Sequence, residues 1–118
     1  MIDIAPQHEN IVKSILQQQV PEATVYVFGS RAAFTAKPHS DLDLVIVGKD
    51  EMPIHRMHLL EEAFADSDLP FRVDVLDWHA ISEDFRKNIV NCREVHIPER
   101  EPPQAPSDFP LLPILRKN

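Results

Sequence analysis

Three carboxylates carry the chemistry of this 118-residue chain, and a Gly-Ser pair precedes them. Gly29-Ser30 is followed by ten residues and then by Asp41-Leu42-Asp43. A second acidic cluster, Val73-Asp74-Val75-Leu76-Asp77, comes after what reads as one intervening helix. Side chains two apart on a strand share a face, so Asp41 and Asp43 point the same way across ~6.6 Å of strand rise. Two carboxylates at that spacing suit one hard cation, or a pair of cations ~3.5–4 Å apart. Asp41 on its own could simply start a strand. Asp43 is harder to explain so, because aspartate inside an apolar strand disfavours both β structure and burial.

The third strand repeats the anomaly. If Val73 and Val75 face the core, period two sends Asp74 to the other side with Arg72 and Leu76. Asp77 then sits at the strand end, placed to cap the turn at Trp78-His79. Asp74 is therefore the expected third carboxylate, with Asp77 as the fallback. Its expected work is to bind metal and take a proton from an attacking hydroxyl. Gly29 lets the backbone turn sharply and approach a phosphate, and Ser30 would offer its N–H and hydroxyl to phosphate oxygens. Arg31 is expected to neutralise nucleotide charge, with a partner contact or a plain solvated arginine as alternatives. The six histidines are scattered. His55 and His58 share a helix face but lack a third ligand nearby, which disfavours zinc.

These residues have to be positioned by an alternating set of elements. Pro6 opens a helix carrying Ile11, Val12, Ile15 and Leu16. Thr24 to Phe28 reads as a buried strand that stops at Gly29. Ser30 to Phe34 makes a short helix or turn, and Asp41 to Val47 gives the strongest strand signal. Pro53 opens a helix with Met57, Leu60, Ala63 and Phe64 inward, broken near Pro70. Phe71 to Leu76 forms a strand. Ser82 caps a last helix with Ile81, Phe85, Ile89 and Cys92 as its stripe, and Val95 and Ile97 add an edge strand. The expected fold is α/β, a small sheet flanked by helices, mixed if the short link after Gly29 joins antiparallel neighbours.

Two segments are expected: a domain over 1–97 and a proline-rich tail over 98–118. Six of the eleven prolines lie in that tail, so it cannot extend a helix or a central strand. Its end, Phe109-Pro110-Leu111-Leu112-Pro113-Ile114-Leu115, either lies back over its own domain or docks a partner.

Bulk properties narrow the class further. A chain with 43% apolar residues can bury one core. A net charge of −7 argues against binding nucleic acid directly. The single cysteine, Cys92, permits no internal disulfide and reads as a small buried residue. No apolar run approaches the ~20 residues that span a bilayer, so no membrane association and a cytoplasmic location are expected.

Gly29-Ser30, ten residues, Asp41-Leu42-Asp43 and a later Asp74 together resemble the polymerase-β-like nucleotidyltransferase superfamily, and the short length resembles its minimal (MNT) branch. The similarity covers roughly residues 5–97. The resemblance implies a nucleotidyltransferase fold in which Asp41, Asp43 and Asp74 hold Mg2+ and Asp74 activates the acceptor hydroxyl, with Gly29, Ser30 and Arg31 at the nucleotide. Minimal members often accompany HEPN proteins, small helical RNase toxins. The implied function is an antitoxin that transfers AMP from ATP to a tyrosine of a HEPN-type toxin. At this length no acceptor-holding domain is expected, so the acceptor is expected to come from another protein or from a second copy of this chain, in a homodimer. Two alternatives remain at this level: stoichiometric neutralisation without catalysis, and transfer to a small molecule such as an aminoglycoside.

Overall fold

The computed structural model describes residues 2–89 and 92–95. Among the described residues eight elements follow one another: α1 (Pro6–Gln19), β1 (Thr24–Phe28), α2 (Ser30–Ala33), β2 (Leu42–Val47), α3 (Ile54–Ala65), β3 (Val73–Asp77), α4 (Glu83–Arg86) and β4 (Arg93–Val95). The strands form one mixed sheet in the order β3-β2-β1-β4. β1 and β2 are antiparallel neighbours. β2 and β3 are parallel, which requires the crossover that α3 supplies. The tail over 98–118 and the expected strand position of Ile97 lie outside the described residues.

The alternation of side chains along each strand gives the sheet two different faces. On one, Val25, Val27, Leu42, Leu44, Ile46 and Val75 meet Val12 and Leu16 of α1 and Leu60 and Phe64 of α3. On the other, Tyr26, Val45 and Val47 pack with Trp78, Ile89 and Cys92. β2 is therefore buried on both sides from Leu44 to Val47, which is why its sequence is an unbroken apolar run. Asp43 interrupts that burial near the start of the strand.

One expected element is shorter than its pattern. α4 stops at Arg86, and N–H to C=O bonds from Asn88 to Phe85 and from Ile89 to Arg86 turn the chain there. Ser82 does cap it, its Oγ accepting from the Phe85 N–H at 3.1 Å. Ile89 reaches the core from this turn, Cys92 is buried in the same cluster, and Phe85 is left 40% exposed. The helical stripe was thus a correct list of core residues, Phe85 excepted, attached to the wrong local geometry. β3 likewise begins at Val73, two residues later than the pattern suggests.

Candidate active site

Strand pairing brings the motif residues together. Phe28, the last residue of β1, is the cross-strand partner of Asp43. Gly29 therefore lies beside Asp43 although thirteen residues separate them in sequence. Its backbone adopts φ 77°, ψ −155°, a region essentially restricted to glycine. A Cβ built on Gly29 would stand 2.7 Å from Asp43 Oδ2, so the backbone can approach that carboxylate only because no side chain intervenes. Ser30 opens α2 next to it, half-buried.

On the other side of β2, Asp43 is the register partner of Asp74 in β3. Neighbouring strands run ~4.8 Å apart, and register partners present their side chains to the same face. The two carboxylates are thus side by side. Asp41 precedes β2 by one residue and is exposed. Burial pushes the Asp43 carboxyl above its ordinary value, and the negative charges of Asp74 and Asp41 push it further the same way. Asp43 is the point where the field of all three carboxylates adds.

They do not close into a finished cage. Among the described residues, no group of three or more His, Cys, Asp or Glu side chains is gathered tightly enough to hold a metal ion as it stands. Arg72 instead donates to Asp74 Oδ1 from Nε at 2.8 Å and from Nη2 at 2.7 Å. The donor chemistry nonetheless fits Mg2+: hard carboxylate oxygens on adjacent strands, with one carboxyl disfavoured as an anion until a cation offsets its neighbours. Period two along β3 puts Arg72 on the face of Asp74, but the pattern does not reveal its direct hold on that carboxylate.

Asp77 takes no part. It is 5% exposed, its Oδ2 accepting from the Met52 N–H at 2.7 Å and its Oδ1 from the His79 N–H at 3.1 Å. It is the register partner of Ile46, on the helix-covered face and at the far end of the strand. Between the two aspartates of β3, geometry favours Asp74 for the site.

Arg31 differs from expectation. Only 5% exposed, it donates from Nε and Nη2 to the Ser40 carbonyl (3.1 and 2.7 Å), from Nη1 to the Asp3 carbonyl (2.8 Å) and from Nη2 to the Pro38 carbonyl (3.3 Å). The guanidinium lies 4.2 Å from the Phe71 ring centroid. The side chain is buried and bonded to backbone carbonyls, so a solvated surface role does not describe it. Nothing in the local sequence distinguishes a buried Arg31 from an exposed one, because its partners come from segments far along the chain.

Comparison with known proteins places this arrangement in context. Residues 9–101 match the family model described as "Polymerase beta, Nucleotidyltransferase". The chain is 49% identical over 100 residues to a probable protein adenylyltransferase MntA of Haemophilus influenzae, an alignment covering 85% of this chain and 87% of that protein. A crystal structure of a toxin–antitoxin with AMP-PNP superposes with a TM-score of 0.64 at 24% identity, over 77% of this chain and 74% of the other. A complex of tri-AMPylated Shewanella oneidensis HEPN toxin with MNT antitoxin gives 0.59 at 22% identity, over 77% and 71%. At those identities the two complexes speak to the fold. No helix among the described residues is long and apolar enough to cross a membrane.

Proposed function

Because this chain belongs to the polymerase beta nucleotidyltransferase family, we propose that it is an antitoxin adenylyltransferase that moves AMP from ATP to a tyrosine hydroxyl of a HEPN-type toxin and so silences it. Two supports come from its relatives: the Haemophilus protein carries the name of a protein adenylyltransferase, and an AMPylated HEPN toxin sits with an antitoxin of this fold. The observation on this chain that carries the reading is the registration of Asp43 against Asp74, with Gly29 pressed against Asp43.

In this reading Asp41, Asp43 and Asp74 would hold Mg2+, which when bound supplies charge neutralisation on the phosphate oxygens. Gly29 and Ser30 line the approach for the phosphates. The acceptor oxygen attacks the α-phosphorus, the bond from that phosphorus to the bridging oxygen of the β-phosphate breaks, and pyrophosphate leaves. Asp74 accepts the hydroxyl proton. The acidic side chains cluster where the nucleotide's own negative charge must be offset, which makes catalysis depend on the cation rather than on protein cations. Arg31 is committed to backbone carbonyls, and Arg72 is the guanidinium bound to a site carboxylate.

The test is transfer of label from α-labelled ATP to the purified HEPN-type partner with Mg2+, read as an AMP increment by mass spectrometry. Wild type should label the partner and Asp41→Asn/Asp43→Asn should not. Labelling that survives the double substitution would remove the assignment. Loss of labelling with full neutralisation of the toxin would instead identify stoichiometric binding as the protective act.

A further inference from the structure

We infer that Arg31 is a positioning residue, whose guanidinium ties together the chain segments that bring Asp41, Asp43 and Asp74 to one place; this rests on the reading of those carboxylates as the metal site. Arg31 directly follows Gly29-Ser30. Its fork grips the Ser40 carbonyl from Nε and Nη2 together, which fixes the peptide that leads into Asp41. A further bond to the Pro38 carbonyl holds the same loop two residues earlier.

The remaining contacts reach the other two segments. The guanidinium stacks on Phe71. Phe71 precedes Arg72, whose carbonyl accepts the Leu42 N–H at 2.9 Å and whose side chain holds Asp74. Nη1 and the Arg31 carbonyl both engage Asp3, the carbonyl accepting its N–H at 2.9 Å, and this ties the N-terminal segment to the same centre. One side chain therefore spans the Gly-Ser turn, the loop before Asp-x-Asp and the lead-in to β3.

The chemistry of that centre argues against a purely space-filling role. A buried cation is costly to desolvate, and among the described residues Arg31 makes no ion pair; carbonyl dipoles and a ring face stabilise it. An apolar side chain could fill the same volume without that cost. What an apolar residue cannot do is fix three loops at defined angles, and a lysine lacks the planar fork needed to grip one carbonyl twice.

The experiment titrates full-length protein with Mn2+ in the presence of a non-hydrolysable ATP analogue, by electron paramagnetic resonance, at a temperature well below Tm. Wild type should bind Mn2+ in a manner lost in Asp43→Asn. Arg31→Lys should remain folded by circular dichroism yet bind Mn2+ ~10-fold or more weakly, the scale seen when groups supporting metal ligands are removed. Asp77→Asn is the control: it lowers Tm through a distant buried contact and should leave Mn2+ affinity alone. Unchanged affinity in Arg31→Lys, beside normal wild-type binding, overturns the positioning role and spares the metal-site reading. Equal binding by wild type and Asp43→Asn overturns both. If Arg31→Lys does not fold, Phe71→Leu keeps the hydrogen bonds and removes the stacked ring. Weaker Mn2+ binding with Tm retained then supports the role, and unaltered binding sinks it.

Discussion

The two ends of the β2–β3 pair use aspartate in opposite ways. At the far end, Asp77 is buried and both oxygens accept backbone N–H groups. At the near end, Asp43 is half-buried beside two other carboxylates, and burial and like charge together disfavour its ionised form. The first arrangement is what a stable fold asks of a buried carboxylate. The second is what a cation site asks, and it leaves the folded state with a repulsion that the Arg72 guanidinium offsets only in part. Local electrostatics thus separates a structural aspartate from a candidate site aspartate on the neighbouring strand.

The contrast can be broken most decisively at Asp-x-Asp. Asp41→Asn/Asp43→Asn should lower adenylyl transfer by at least about 10³-fold, since two of the three carboxylates proposed to hold the cation lose their charge. A rate assay with the HEPN-type partner in excess measures it, and residual activity within tenfold of wild type would place the metal elsewhere.

Gly29→Ala comes next. Holding alanine at φ 77°, ψ −155° costs about 1–3 kcal/mol, and its methyl would displace Asp43 from 2.7 Å. Both Tm and transfer rate should fall. Asp77→Ala should separate the two, since it strands the buried Met52 N–H at about 2 kcal/mol in denaturant unfolding. Transfer per folded molecule should stay near wild type. If Asp77→Ala silenced the enzyme without destabilising it, Asp77 and Asp74 would have exchanged roles.

A smaller effect sharpens the electrostatic side. The folded-state pKa of Asp43 lies above its ordinary 3.8, so ionised Asp43 opposes folding at neutral pH and protonated Asp43 does not. Asp43→Asn should then raise Tm by a few degrees at pH 7. The gain should shrink as pH falls through the raised pKa and vanish below about pH 3.8, where the carboxyl is protonated in both states. A gain independent of pH would point to packing. The smallest effect belongs to Arg72→Gln. Its ion pair with Asp74 is largely exposed, so Tm should hardly change. Mn2+ affinity should rise modestly, because a competing cation has left Asp74. A fall in affinity would mean that Arg72 helps the bound nucleotide more than it competes.

Much of this was legible in the chain. Asp-x-Asp at the head of an apolar run, the choice of Asp74 over Asp77 and the capping position of Asp77 all follow from period two, a rule that needs only neighbours two residues away. The core residues of β1, β2, α1 and α3 follow from similar short-range periodicity. Less legible were the early end of α4 and the job of Arg31. Hydrogen bonds in a tightening turn decided the first, and carbonyls at residues 3, 38 and 40 with a ring at 71 decided the second.

The sequence by itself thus determined which side chains have the right chemistry and which face of its strand each one takes, because alternation is a property of the local backbone. Only the tertiary structure decided that Gly29 touches Asp43, that Asp43 and Asp74 stand in register, and that Arg31 is an internal clamp. Those relations depend on which strands pair and in what register, and such pairing is won by burial of the whole sheet against α1 and α3 rather than by any residue's own preference.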